Sequence, residues 1–143
     1  IRDRPWQEAC LEACDSLRDQ LRRQPEFGLL DGQWDSLAPF NARATGLLVG
    51  ILERSSIPAA ELIPASQALL YLITSVARLE SGLAAAPSGN ARLYNEQVRK
   101  ALPAALAPEW SRFVARPAGE AFDSIFTTGI RGLLAGLTPD DAR

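Results

Sequence analysis

The chain has 143 residues, 47% of them hydrophobic and 22% charged, enough apolar material for one compact domain with a substantial core. Formal net charge is −2, and the 15 Lys and Arg residues are scattered, which excludes the basic stripe of a nucleic-acid binder. With no histidine and two cysteines, the sequence also excludes Ser-His or Cys-His catalysis and a zinc centre, and no cofactor or metal is expected.

Alanine and leucine dominate, β-branched residues are sparse, and no apolar/polar alternation lasts more than a few positions. Together these predict an all-α protein. The first helix is marked by Asp3 as N-cap, Pro5 in the first turn and Glu8 near the positive end of the helix dipole. Its apolar stripe is Trp6, Cys10, Ala13, Cys14, Leu17 and Leu21, and Gln24-Pro25 ends it. Cys10 and Cys14 lie one turn apart in geometry poorly suited to a disulfide, which leaves two buried thiols as the plain reading and a redox or metal role as the other.

Residues 26 to 37, EFGLLDGQWDSL, read as a brief helical turn between loops. A second helix is predicted from Pro39 to Arg54, with Phe40, Ala44, Leu47, Leu48, Ile51 and Leu52 on one side. The helix over about 59 to 84 is apolar nearly all round and therefore central, and Pro64 should kink it. APSGNA, residues 86 to 91, reads as a loop. Pro103 and Pro108 divide the next segment into helices over Leu93–Ala101 and Pro108–Ala115, and a last helix covers residues 121 to 137. The longest uninterrupted apolar runs fall short of the roughly 20 residues that span a bilayer, and no leader pattern opens the chain, so a cytoplasmic protein is expected.

The central helix has two faces of interest. Counted at about 100° per residue, Gln67, Tyr71, Thr74 and Arg78 form a narrow polar stripe, which faces either solvent or a cavity where a few polar groups orient an apolar ligand. Beside it run Ala68, Leu72, Ser75, Leu79 and Gly82, small and aliphatic residues that allow close approach of another helix. The last helix carries Phe122, Phe126, Gly129, Ile130, Leu133 and Leu137 on one stripe, with Ile125, Gly132 and Gly136 next to it. Its three central glycines each cost roughly 0.5–1 kcal/mol relative to alanine and call for a compensating contact. Either these faces pack within the chain, or two helices from each of two subunits form a four-helix interface about a two-fold axis. The dimer residues so expected are Ala68, Leu72, Ser75, Leu79, Gly82, Phe122, Ile125, Phe126, Gly129, Gly132, Leu133 and Gly136.

The order of these features resembles the C-terminal effector-binding and dimerisation domain of TetR-type transcriptional regulators. A tryptophan-led first helix with a leucine-arginine pair and a closing proline is similar to Trp6, Leu17-Arg18 and Gln24-Pro25. A long central helix ending near a glutamate resembles LLYLITSVARLE with Leu79-Glu80, and a closing phenylalanine, glycine-hydrophobic pair and LLAGL resemble Phe126, Gly129-Ile130 and residues 133–137. The resemblance implies an antiparallel helical bundle over residues 1–143, a homodimer through the central and terminal helices, and a small-molecule pocket among the earlier ones. It further implies a transcriptional role, a repressor whose ligand alters the spacing of its DNA-binding domains, with no chemistry required. The family's N-terminal helix-turn-helix domain has no counterpart here, so the expectation is a fragment whose parent contacts DNA as a dimer.

The ligand-binding residues expected on this reading are Cys14, Leu17, Phe27, Trp34, Phe40, Ala44, Leu47, Gln67, Leu70, Tyr71 and Thr74, with Arg78 as a charge partner for an acidic effector. Core packing uses the same apolar side chains. A helical protein–protein interaction module without a small ligand remains the alternative. An enzyme is disfavoured, because Glu61 and Glu80 sit about 100° apart by helical count and lack a partner base, metal ligand or phosphate loop.

Overall fold

The structure is a computed structural model that describes residues 4–24, 34–85 and 88–137, with side chains described from 37 to 82 in the second stretch and from 93 in the third. Asp3, Phe27 and the Trp34 side chain lie outside the described residues. The described residues are all-helical, with no strand among them: α1 (Trp6–Arg22), α2 (Trp34–Leu52), α3 (Ala59–Ala85), α4 (Ser88–Ala101), α5 (Ala107–Val114) and α6 (Ala118–Leu137), with a 3-10 turn at Ala104–Leu106 before α5.

Helix α1 buries Cys10, Cys14, Leu17 and Leu21, the three-and-four spacing of an amphipathic helix. Pro5 stands at its N-cap without a side-chain cap, and the Ala9 amide donates to the Pro5 carbonyl at 3.2 Å. Helix α2 starts at Trp34, five residues ahead of the expected Pro39, which lies inside it. Proline removes one i→i−4 hydrogen bond and restricts the residue before it, yet Pro39 sits close enough to the N-terminus for only a short length of helix to bear that loss. Of the expected loop over 86–91, residues 88–91 are instead helical, because α4 begins at Ser88, and residues 86 and 87 lie outside the described residues. Ser, Gly and Asn there are residues of a helix start, a role they fill as readily as a turn.

Helix α3 packs against α1, α2 and α6, which accounts for its apolar character on most sides. It buries Ala65, Ser66, Leu69, Leu70, Ile73, Val76 and Ala77, and the Ser66 hydroxyl donates to the Ile63 carbonyl at 2.8 Å. Counting uninterrupted apolar runs overlooks that Ala59–Gly82, with mean hydropathy 1.4, is long and apolar enough to cross a membrane by length and composition. Its central packing is equally that of a core helix. Helix α6 buries Phe122, Phe126, Ile130 and Leu134 in the same core. Helices α4 and α5 pack on each other, where the Trp110 indole N–H donates to the Asn95 carbonyl at 3.0 Å and Trp110 meets Phe113 with ring centroids 5.8 Å apart.

The glycines of α6 divide into two kinds. A Cβ on Gly129 would lie 2.9 Å from Leu72 Cδ2, so this glycine lets α3 and α6 approach within the chain. Gly132 and Gly136 face open space, with nothing within 4 Å of such a Cβ. Gly132→Ala and Gly136→Ala should therefore each stabilise the dilute chain by about 0.5–1 kcal/mol, and Gly129→Ala by less, because Leu72 must give way. Chemical denaturation of the three variants measures this order.

Candidate functional site

Two places on α3 concern function, its junction with α1 and α6 and the flank it exposes. At the junction, Arg18 of α1 is only 1% exposed. Its Nε donates to Glu80 Oε2 at 3.2 Å and its Nη2 to both Glu80 oxygens at 3.1 Å. Nη1 pairs with Asp123 of α6 at 2.8 Å and lies 3.9 Å from Asp15, while the guanidinium carbon sits 4.9 Å from the centroid of the Phe126 ring. Arg22 adds a second cation to Glu80 at 3.5 Å. The planar fork of arginine suits this arrangement: one edge takes the carboxylate of α3, the other takes α6, and the face rests on an aromatic ring. Glu80, considered above as an acid, is thus held in an ion pair, and Glu61 lies exposed in the first turn of α3.

The Cys10 and Cys14 thiols are free and buried. Cys14's hydrogen bond with Cys10 and its burial push its thiol well above the ordinary value of 9.0, so it stays protonated at neutral pH. Among the described residues no group of three or more potential metal ligands occurs.

Of the expected ligand-binding residues, Cys14, Leu17, Phe40, Ala44 and Leu70 are buried in the common core, while Leu47 is exposed on α2. The polar stripe of α3 does not face one enclosed space. The Gln67 amide donates to Thr45 Oγ1 at 3.0 Å and so ties α3 to α2. The Thr74 hydroxyl donates to its own helix at the Leu70 carbonyl, 3.0 Å away, and Tyr71 and Arg78 are exposed. One turn of α2 before Thr45, Asn41 Oδ1 is buried with no hydrogen-bond partner among the described residues. Such an acceptor costs about 1–3 kcal/mol unless something donates to it.

Of the expected dimer residues, Leu72 and Gly129 meet each other, Phe122 and Phe126 are buried, and Leu133 packs against the core. Ala68, Ser75, Leu79 and Gly82 of α3 and Ile125, Gly132 and Gly136 of α6 are exposed. Measured from the Leu72–Gly129 contact at about 100° per residue, both exposed sets turn away from the flank each helix presents to the core, and so lie on one side of the helix pair. No protein-family model, curated protein or solved structure matches the chain.

An open groove of about 660 Å³ runs between α1 and α6, lined by residues including Leu11, Asp15, Asp19, Asp123, Thr127 and Arg131. It continues past Glu8, Leu11 and Arg131 into a section of about 320 Å³ beside Leu134 and Ala135. Arg18 and Arg22 on its wall already pair with Asp123, Asp19 and Glu80. Neither this groove nor the Arg18 cluster is among the features expected from the sequence. The only signal for the cluster was that Arg18 and Glu80 each follow a leucine of an apolar stripe.

Breaking the pair by Arg18→Met leaves Glu80, itself 14% exposed, without its main partner, at an expected cost of about 3–5 kcal/mol. Adding Glu80→Leu should recover part of that loss, since removing both charges leaves no buried carboxylate, and a double-mutant cycle by urea denaturation reads the coupling.

Proposed function

We propose that this chain is the effector-binding and dimerisation domain of a TetR-type transcriptional regulator, a repressor whose DNA contacts belong to a separate helix-turn-helix domain. On this reading residues 1–143 form one antiparallel helical bundle. The carrying observation is the exposed flank of α3 and α6, where Leu79 is 60% and Ile125 43% exposed beside glycines that face open space. Two helix-destabilising glycines without an intrachain role, set among exposed aliphatic residues, suit the close approach of a second copy. A two-fold axis there would bring α3 and α6 of each subunit into a four-helix interface.

The effector is a small, mostly apolar molecule held between α2 and α3. Asn41 Oδ1, buried and unpartnered among the described residues, supports this reading, together with the Thr45–Gln67 hydrogen bond one turn away. Binding that favours one arrangement of the dimer would weaken operator affinity about tenfold for each 1.4 kcal/mol of preference. The rival reading, a helical protein-interaction module, draws on Leu93, Tyr94 and Leu106, all exposed around α4 and the 3-10 turn.

Sedimentation equilibrium should give twice the 15.5 kDa of the chain. Gly132→Leu or Gly136→Leu should raise the dimer dissociation constant about tenfold or more while helicity by circular dichroism holds, as expected for overpacking an interface. A wild-type chain that stays monomeric at high micromolar concentration sinks the dimer reading. For the effector, a thermal-shift screen of hydrophobic small molecules should find compounds that raise the melting temperature. Asn41→Leu should abolish the shift, whereas Tyr71→Phe with Thr74→Val, which alters an exposed ring and a hydroxyl bonded to its own helix, should leave it unchanged.

A further inference from the structure

We infer that Arg18 is a positioning residue through which α1 sets the relative rotation of α3 and α6, and with it the shape of their exposed flank. The inference rests on the dimer reading above and adds its regulation: whatever displaces α1 alters self-association.

The exposed flank is composite, since Leu79 and Ser75 come from α3 and Ile125, Gly132 and Gly136 from α6. Its fit to a second copy therefore depends on how each helix is rotated about its own axis. The two helices meet closely where the end of Leu72 lies against Gly129, and the apolar side chains they share in the core have no fixed donor or acceptor directions that would set the rotation of either helix. Arg18 removes that freedom from the other side. Its one guanidinium holds Glu80, adjacent to Leu79, and Asp123, two residues before Ile125. Because Arg18 is 1% exposed and its fork is planar, neither carboxylate can turn away without losing a charge-assisted contact. Arg18 also follows Leu17 and lies one turn beyond Cys14, so the α1 side chains buried toward the core are rigidly joined to the clamp.

Asp15 and Asp123 provide the comparison for the test. Both are largely exposed, 66% and 61%, and both face the same guanidinium, but Asp15 belongs to α1 itself and stands 3.9 Å away, whereas Asp123 makes direct contact at 2.8 Å and connects to α6. Asp123→Asn should raise the dimer dissociation constant about fivefold, one weakened tie counting twice in a symmetric pair, with helicity unchanged. Asp123→Glu, which restores the carboxylate, should recover most of the affinity, and Asp15→Asn should leave it as in the wild type. Sedimentation equilibrium on the four chains reads the result. Equal effects of Asp15→Asn and Asp123→Asn, or no effect of either on a dimeric wild type, overturn the inference alone. A monomeric wild type overturns both it and the dimer reading.

Discussion

The guanidinium of Arg18 is the constraint on which the arrangement of α1, α3 and α6 depends. Removing a cation from water costs several kcal/mol even after relaxation, so its partners must be in place whenever the helices pack. Here they come from two other helices: both oxygens of Glu80, one of Asp123, and the face of Phe126. An apolar core of the same volume would fold with comparable stability but would tolerate small rotations of one helix against another. A charge with fixed donor directions tolerates far less. On the inference drawn above, the ion pair contributes more to which packing is chosen than to how stable it is.

Around that point the apolar layers follow from helical spacing. Cys10, Cys14, Leu17 and Leu21 of α1 share one core with Leu69, Ile73 and Val76 of α3 and with Phe126, Ile130 and Leu134 of α6. Helix α2 adds Phe40, Ala44, Leu48 and Leu52 to the same core, and at its junction with α3 the Gln67 amide donates to Thr45 Oγ1. Among the described residues helix α3 thus packs against three helices, α1, α2 and α6, and leaves one flank exposed. That geometry explains how a helix hydrophobic enough to resemble a membrane span can serve as the centre of a helical core.

The helices were largely legible in the sequence, because period and punctuation are local. The apolar stripes of α1 and α6 and the all-round apolarity of α3 place those elements within a few residues. Local signals failed where a residue type has two uses. Pro39 read as a helix start and lies inside α2; Ser88, Gly89 and Asn90 read as a loop and open α4. The Arg18–Glu80 pair spans 62 positions, and nothing local distinguishes a buried arginine from a surface one. The α1/α6 groove is illegible for the same reason, as its walls meet only in three dimensions. Gly129, Gly132 and Gly136 show the limit most clearly, since one periodic pattern holds a glycine used inside the chain and two that are not.

That difference bears on how the proposed regulator would work. If every glycine of α6 were filled by a neighbour within the chain, the open side of α3 and α6 would be an ordinary solvated surface. Instead α6 keeps Gly132 and Gly136 beside Ile125, each weakening the helix by roughly 1 kcal/mol at a position where alanine would fit, as Gly46 and Gly50 do in α2 and Gly82 in α3. A contact that depends on such close approach is sensitive to displacements far smaller than a side chain, because packed atoms lose much of their attraction over a gap of about 1 Å. A helix rotation too small to disturb the core could then separate two subunits or change the angle between them. The stiffness of the Arg18 junction and the closeness required at the glycines are complementary. The first limits the motions available to α3 and α6, and the second makes the remaining ones count.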